Sequence, residues 1–218
     1  MMNRQGIGMT SARTRERLID QLKQSGISHP QVLDAIRNVP RHLFVEEALA
    51  SRAYENTPLP IGHGQTISQP YIVARMTQAL LEGSTPANVL EVGTGCGYQT
   101  AVLAEIFERV WSVERIEALH RATRLRLRQL GYHNIRLKLA DGSWGWKEYA
   151  PYDAIMVTAA CASVPQALFD QLAPGGVMLA PVGQWSEQAL QRFTRTGEGV
   201  SGETLERVRF VPLVSGQA

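Results

Sequence analysis

Residues 89–97, with the sequence VLEVGTGCG, carry the clearest structural signal in this chain. The four residues 89–92 suit a buried strand, and they run directly into three glycines at alternate positions. Glycine adopts positive φ without strain and lets a main chain approach a ligand closely. A helical pattern follows from residue 98. This order of strand, glycine loop and helix predicts the ligand-binding edge of an α/β sheet.

The same alternation of strand and helix continues toward the C-terminus. Predicted strands lie at 110–113, 135–140, 153–158 and 177–182, with β-like segments around 188–194 and 205–214. Predicted helices lie at 98–107, 116–130 and 164–172. Alternation of this kind indicates a doubly wound, mostly parallel sheet with helices on both faces, in the Rossmann-like α/β class.

The N-terminal part has a different pattern. Amphipathic helices are predicted at 12–25, 30–39 and 70–82, which gives the fold an N-terminal helical extension. Residues 40–69 are punctuated by proline and glycine and are predicted to be irregular, and a loop of this length is usually functional. We expect one compact domain, organised as a flexible N-terminus at 1–10, helices with a substrate and active-site loop at 11–69, and a core at 70–218.

Composition excludes several protein classes. Hydrophobic residues make up 44% and charged residues 19%, which is ordinary for a globular chain. The net charge of +2 is too small to favour nucleic acid or an anionic membrane surface, and no apolar run approaches the ~18 residues of a membrane span. Two cysteines exclude a disulfide framework, and the histidine spacing offers no metal site. We expect a cytoplasmic protein without a bound metal, monomeric because no apolar stripe is left over.

Polar residues follow the ends of four predicted strands: Glu91, Glu114, Asp141 with Gly142, and Thr158. Because the carboxyl ends of parallel strands meet at one edge of the sheet, we expect these residues to share a pocket with the glycine loop. The dinucleotide fingerprint would need a third glycine where Tyr98 stands. A carboxylate at Glu91 would oppose a pyrophosphate, since unit charges ~4 Å apart interact by about 4 kcal/mol at an effective dielectric constant near 20. The pattern favours a cationic ligand over NAD.

Two of these positions suit an adenosine ligand. Glu114 stands where an acidic side chain accepts hydrogen bonds from ribose hydroxyls, and Asp141-Gly142 stands where an adenine edge would lie. Each feature also has a plain structural interpretation, as a surface glutamate, an Asp-Gly turn or a strand-to-helix turn. Together they describe a pocket for a nucleoside with an amino-acid tail, and S-adenosylmethionine fits that description.

Several segments beyond the glycine loop point to one family. They read LPIGHGQTISQP at 59–70, VLEVGTGCGYQTA at 89–101, APYDAI at 150–155, PGG at 174–176 and VRFVPLV at 208–214. Together they resemble the protein-L-isoaspartate O-methyltransferase family, over nearly the whole chain from about residue 11 to 216. Methyltransferases in general share the glycine loop but not the TISQP segment at 66–70.

The resemblance implies an S-adenosylmethionine methyltransferase fold and a repair reaction. A methyl group would pass to the α-carboxylate of an L-isoaspartyl residue in a damaged protein or peptide, and the ester would return through a succinimide to aspartate. The family also accepts D-aspartyl residues to varying degrees. A carboxylate is already ionised at pH 7, so the reaction needs no strong general base and depends on alignment.

The resemblance also implies roles for individual residues. Ser68 matches the family's active-site serine, whose hydroxyl would orient the substrate carboxylate; the alternative is that Ser68 caps the helix that begins at Pro70. The implied cofactor-binding residues are Ile67, Gln69, Glu91, Gly93, Thr94, Gly95, Glu114, Arg115, Asp141 and Gly142. The implied substrate-binding residues are Ile61, Thr158, Val211 and Leu213.

Two other functions compete with this hypothesis. The first is a methyltransferase acting on nucleic acid or a small molecule, but the residues after the fourth strand, 158–161, read TAAC and lack the Asn/Asp-Pro-Pro-aromatic motif of amino-methylating nucleic-acid enzymes. The second is a protein that binds S-adenosylmethionine without catalysis. Such a protein would not need the loop that carries Ser68.

Overall fold

The computed structural model describes residues 6–82, 86–184 and 187–218. The strands are β1 (Leu59–Gly62), β2 (Gln65–Ile67), β3 (Asn88–Val92), β4 (Arg109–Glu114), β5 (Ile135–Leu139), β6 (Tyr152–Val157), β7 (Leu172–Gln184), β8 (Glu187–Thr196) and β9 (Gly199–Val208). The α-helices are α1 (Ala12–Gln24), α2 (Pro30–Asn38), α3 (Pro70–Leu81), α4 (Tyr98–Ala104), α5 (Glu117–Gln129) and α6 (Gln166–Asp170).

Seven strands form one sheet in the order β5-β4-β3-β6-β7-β8-β9. Strands β3 to β7 pair in parallel, and β8 and β9 extend one side of the sheet in antiparallel pairing. The architecture confirms the predicted doubly wound, mostly parallel α/β fold with an N-terminal helical extension. Most predicted elements are present with small shifts at their ends, and two segments differ.

The strand order brings the loops after β3, β4 and β6 together. The Gly93 N–H donates to the Val113 carbonyl, and the Thr158 N–H donates to the Val92 carbonyl, both at 2.9 Å. Strand β3 lies between β4 and β6, so the chain order of the sheet reverses there. The glycine loop therefore sits at the switch point, which is where parallel sheets bind ligands.

The N-terminal helices complete the hydrophobic core on one face of the sheet. Leu18 and Leu22 of α1 and Ile36 of α2 are buried in the same cluster as the apolar face of α3. The predicted flexible N-terminus falls partly on residues 1–5, which lie outside the described residues, and Gly8–Thr10 forms a short 3-10 helix. Within the described ranges, no helix is long and apolar enough to cross a membrane.

A hairpin replaces part of the irregular chain predicted at 40–69. Strands β1 and β2 pair in antiparallel fashion around the two-residue turn His63-Gly64. Both turn residues have positive φ, 53° and 68°, as a type I′ turn requires. The usual first residue of that turn is asparagine or aspartate, so a histidine in this position obscured the hairpin signal. The hairpin holds Ile61 beside Gly95 of the glycine loop.

The predicted β segment at 205–214 is also corrected, because β9 ends at Val208. The side-chain amide of Gln188 takes over the pairing with Phe210: its Nε2 donates to the Phe210 carbonyl at 3.1 Å, and its Oε1 accepts from the Phe210 N–H at 2.6 Å. The Gln188 side chain thus takes the place of a neighbouring strand at Phe210, and the main chain leaves the sheet edge there.

Residues 209–214, here termed the crossing segment, then run over the carboxyl edge of the sheet. The Ala160 N–H donates to the Val211 carbonyl at 2.8 Å, and the Leu213 N–H donates to the Ala160 carbonyl at 2.7 Å. Pro212, which has no N–H, pairs with Ala160 only as an isolated bridge. The crossing segment therefore covers the edge at which the glycine loop lies.

Candidate active site

Three adjoining cavities lie at the carboxyl edge of the sheet, and Thr66 and Thr158 line all of them. The inner cavity, of about 90 Å³, lies among the glycine loop, the end of β4 and the crossing segment. The outer cleft, of about 400 Å³, lies between the start of α3 and residues 206–211. A connecting cavity of about 50 Å³ joins the glycine loop to the end of the β1–β2 hairpin.

The cavities bring most of the predicted site residues together. The inner cavity is lined by Ile61, Gly93, Gly95, Glu114, Arg115, Gly142, Thr158, Val211 and Leu213. The connecting cavity adds Ile67, Ser68 and Thr94, and the outer cleft adds Gln69 and contains Ser68 again. Glu91 and Asp141 line none of the three and lie behind the walls.

The main-chain N–H groups of the glycine loop are already used inside the protein. The Gly95 N–H donates to Glu114 Oε2 at 2.8 Å, and the Gly97 N–H donates to the Thr94 carbonyl at 2.9 Å. Together with the Gly93 bond to Val113, these contacts leave no row of free N–H groups of the kind that cradles a phosphate. The loop therefore supplies close main-chain approach rather than an anion site, as the missing third glycine predicts.

Glu114 is held rigidly at the wall of the inner cavity. Its side chain is buried, and its Oε1 accepts from the main-chain N–H groups of Arg115 and Ile116 at 2.8 and 2.9 Å. Among the described residues, the Gly95 N–H is the one donor to its Oε2, which keeps a lone pair for a further donor. A fixed carboxylate with spare acceptor capacity suits the hydroxyl groups of a ribose.

Asp141 lies behind the wall of the inner cavity and holds part of that wall in place. Its Oδ1 accepts from the Ser143 N–H and hydroxyl, and its Oδ2 accepts from the Gly216 N–H at 2.7 Å. Burial acts to raise the pKa of Asp141, but these hydrogen bonds outweigh it and the pKa is lowered. The carboxylate therefore ties the turn that contains Gly142 to the C-terminal residues beyond the crossing segment.

Glu91 is fully buried behind the glycine loop. The hydroxyls of Thr100 and Ser112 both donate to its Oε2, at 2.5 and 2.6 Å, and Ser112 in turn contacts the Thr94 hydroxyl at 2.6 Å. Burial raises the pKa of Glu91 to about 8, against the two hydroxyl bonds that lower it. A carboxyl group that is neutral at pH 7 does not attract a cationic ligand. Glu91 therefore does not provide the attraction that was predicted for it from the sequence. Its cofactor role stays a prediction.

Replacing Glu91 by glutamine is expected to remove a pH dependence of stability. The folded protein keeps Glu91 protonated up to about pH 8, whereas the unfolded chain ionises near 4.5, so wild-type stability falls as pH rises between those values. The slope is about 1.4 kcal/mol per pH unit at most. Urea unfolding of wild type and Glu91→Gln at pH 5, 6, 7 and 8 should show the difference moving steadily in favour of the variant.

Glu108→Gln serves as the matched control, because Glu108 is an exposed glutamate. Its free energy of unfolding relative to wild type should be nearly constant over the same pH range. A pH-independent difference for Glu91→Gln as well would show that Glu91 is ionised in the folded protein.

Ser68 lies where the connecting cavity meets the outer cleft. It is half-buried, and its hydroxyl has no hydrogen-bond partner among the residues described. Helix α3 begins at Pro70 with Gln69 as its N-cap and without a side-chain cap bond, so the alternative interpretation of Ser68 as a helix cap is wrong. The hydroxyl is available to a ligand.

Arg41 holds the Ser68 peptide in place, although Arg41 was not among the predicted site residues. Its side chain is 0% exposed, with Nε donating to the Ala53 carbonyl and Nη2 donating to the Ser68 carbonyl, both at 2.7 Å. The guanidinium also lies 4.7 Å from the centre of the Tyr98 ring. The contact with Ser68 spans 27 positions in the chain, so no local pattern marks it. Thr66, which lines all three cavities, was not predicted either, although it is the first residue of the TISQP segment at 66–70.

The described part of the chain has no group of three or more histidine, cysteine, aspartate or glutamate side chains that could hold a metal ion.

Comparison with known proteins gives a family. The family model described as protein-L-isoaspartate(D-aspartate) O-methyltransferase matches residues 13–218. The chain belongs to this family.

Individual members of the family are similar over almost their whole length. The protein-L-isoaspartate O-methyltransferase of Halorhodospira halophila is 56% identical over 215 residues, which cover 99% of this chain and 98% of that protein. The enzyme of the same name from Alcanivorax borkumensis is 55% identical over 211 residues, 97% of this chain and 96% of that protein. A solved Plasmodium falciparum protein-L-isoaspartate O-methyltransferase, in complex with S-adenosyl-L-homocysteine, matches 92% of this chain and 98% of its own at 26% identity and a TM-score of 0.80.

Proposed function

We propose that this chain transfers a methyl group from S-adenosylmethionine to the α-carboxylate of L-isoaspartyl residues in damaged proteins and peptides. The ester then closes to a succinimide, which reopens in part to normal aspartate. The observation that carries the proposal is the position of Ser68. Its hydroxyl has no hydrogen-bond partner among the described residues and lies where the connecting cavity at the glycine loop meets the outer cleft.

The residues of the inner cavity fit S-adenosylmethionine. The glycine loop has no free phosphate cradle, and the Glu114 carboxylate retains an acceptor site for ribose. When bound, the cofactor supplies a methyl group on a positively charged sulfur. The proposed cofactor site consists of Ile67, Gln69, Gly93, Thr94, Gly95, Glu114, Arg115 and Gly142, with Glu91 and Asp141 supporting it from behind.

Ser68 is the proposed catalytic residue, and its proposed role is to align the acceptor carboxylate with the methyl group. The acceptor carboxylate is ionised at pH 7 and needs no base. By donating one hydrogen bond to one carboxylate oxygen, the Ser68 hydroxyl would aim the other oxygen at the methyl group. Holding the reactants in line can lower the activation barrier by about 7 kcal/mol or more. The Thr158 hydroxyl, 2.7 Å from the Gly93 carbonyl and 2.9 Å from the Val92 carbonyl, stabilises the loop at the same junction.

The crossing segment is the proposed support for the peptide, together with Ile61 and Thr158. The main-chain groups of Val211 and Leu213 that face Ala160 are already hydrogen-bonded. The opposite side of an extended segment presents the Pro212 carbonyl and the Val214 N–H. Recognition through such main-chain groups reads the backbone of a substrate rather than its side chains, which suits repair of many proteins.

Transfer of labelled methyl from S-adenosylmethionine to a pair of synthetic peptides tests the proposal. The peptides differ only in carrying L-isoaspartate or L-aspartate at one position. We expect label on the isoaspartyl peptide alone, as a base-labile ester. No label on either peptide, with cofactor binding confirmed by calorimetry, would contradict the proposal and leave a different acceptor or a non-catalytic binder.

We also propose that the protein works as a cytoplasmic monomer. Cys96 and Cys161 are both free and buried, which suits a reducing compartment. The large exposed apolar side chains among the described residues belong to different elements, including Leu125 of α5, Trp144 and Val200 of β9. Exposed apolar side chains spread over several elements are ordinary on the surface of a monomer.

A further inference from the structure

The outer cleft beside Ser68 has charged residues on one wall only. Of the residues that line it, Glu206, Arg207 and Arg209 carry charge, and all three belong to the end of β9 and the start of the crossing segment. The opposite wall, formed by the end of the β1–β2 hairpin and the start of α3, contributes uncharged side chains. These three residues supply the charge on the lining of the cleft, and the Arg41 guanidinium lies behind it, bonded to the Ser68 carbonyl.

Glu206 is bound by two side chains of helix α3. Its Oε1 lies 3.3 Å from Arg75 Nε and accepts a hydrogen bond from the Tyr71 hydroxyl at 3.3 Å. Both partners belong to helix α3, so the carboxylate joins β9 to that helix. Arg75 also pairs with Glu82, so the ion pair reduces the negative charge that Glu206 presents to the cleft without cancelling it.

Arg207 and Arg209 are exposed and, within the described part of the chain, form no ion pair or hydrogen bond through their side chains. Both arginines line the outer cleft, one as the second-last residue of β9 and the other as the first residue of the crossing segment. On the neighbouring strand β8, the acidic residue nearest to the two arginines is Glu187, which lies one residue beyond the Gln188–Val208 pair. Glu187 makes no ion pair with either arginine. The cleft thus carries two arginines without an ion-pair partner among the described residues, and the one carboxylate that lines it is held by Arg75.

We propose that Arg207 and Arg209 are specificity-determining residues that favour acidic side chains on either flank of the modified residue. This rests on the proposed function, in which the peptide lies in the outer cleft and its isoaspartyl carboxylate reaches Ser68. An extended peptide spans about 3.4 Å per residue, and the screening length is about 10 Å at 0.1 M salt. Side chains within about three residues of the reacting carboxylate therefore lie inside the field of the arginines.

The same two charges favour substrate over product at the reacting group. Methyl transfer turns an anionic carboxylate into a neutral ester, so the attraction of the arginines falls once the reaction is complete. The effect acts on every isoaspartyl peptide alike. The flanking preference is measured separately, as the ratio of kcat/KM between two peptides for one enzyme variant. The effect on the reacting group cancels in that ratio because it is the same for both peptides.

Steady-state methylation of three isoaspartyl peptides tests the inference. The peptides carry Glu, Gln or Lys at the two positions on each side and are otherwise identical. Exposed charge pairs change an equilibrium by a factor of about 1.5 to 5, so we expect kcat/KM to be about 5- to 10-fold higher for the Glu peptide than for the Lys peptide at low salt. The ratio should approach 1 in about 1 M salt, where screening extends to only 3 Å.

The double variant Arg207→Gln/Arg209→Gln is expected to bring the ratio close to 1, while Arg207→Lys/Arg209→Lys retains it. Arg124→Gln/Arg128→Gln on α5 is the matched control, because it removes the same charge from an exposed helix face at the other side of the sheet. A ratio that survives in the cleft variant, or falls equally in the control, would overturn the inference. Absence of methylation for all three peptides would instead contradict the proposed function.

Discussion

Replacement of Ser68 by alanine is expected to lower kcat for isoaspartyl peptide methylation about 100-fold. The substitution removes a hydroxyl that lies where the connecting cavity meets the outer cleft and has no hydrogen-bond partner among the described residues. Misalignment of a reacting group by about 1 Å costs a factor of that size. Binding of S-adenosylmethionine should change less than about threefold. Single-turnover methylation and titration calorimetry on the same preparation measure the two quantities separately.

The fold of the Ser68→Ala variant should be intact. Arg41 binds the main-chain carbonyl of Ser68, which alanine retains, and the lost hydroxyl makes no hydrogen bond in the described structure. Ser163→Ala, at an exposed position outside the three cavities, is the control and should keep wild-type kcat. A Ser68→Ala enzyme with kcat within threefold of wild type would remove Ser68 from the catalytic mechanism.

Replacement of Gly93 by alanine is expected to weaken cofactor binding about 100-fold or more and to destabilise the protein by about 2–3 kcal/mol. Gly93 has a φ of 101°, which costs a non-glycine residue about 1–3 kcal/mol. A Cβ atom at this position would also lie 2.4 Å from the Thr158 Oγ1 atom. Relief of that clash moves either the loop or the Thr158 hydroxyl, which bonds the carbonyls at the end of β3.

Gly131→Ala separates strain from the clash. Gly131 follows α5 with a φ of 81°, and a Cβ atom there meets nothing within 4 Å. This control should lose about 1 kcal/mol of stability and retain cofactor affinity. The double variant Gly93→Ala/Thr158→Ala should recover part of the stability, since the clashing oxygen is gone. Calorimetry with S-adenosylhomocysteine showing wild-type affinity for Gly93→Ala would contradict the assignment of the glycine loop to the cofactor.

The fold and the outline of the site could be predicted because their signals are local. Apolar runs of four to six residues, helical periodicity and the glycines at 93, 95 and 97 each lie within one short window of sequence. Parallel strands then bring Gly93, Glu114 and Thr158 to one edge by topology alone, and all three line the inner cavity. The segment at 59–70 supplied Ser68 through its resemblance to the family.

Three features depended on tertiary structure instead. Whether Glu91 is charged is decided by its complete burial between Thr100 and Ser112, which strand patterns do not reveal. The end of β9 is decided by the Gln188 side chain, which binds the Phe210 main chain across the hairpin. The setting of the Ser68 peptide is decided by Arg41.

Sequence by itself therefore determined the α/β sheet, the glycine loop, the family and the residues that follow the strand ends. Only the tertiary structure decided which of those residues face a cavity, which are neutral, and which distant side chains hold them. The physical reason is range. Hydrophobic periodicity and turn chemistry act between neighbours in the chain, whereas desolvation and hydrogen bonding by Arg41, Glu91 and Gln188 act between segments that meet only after folding.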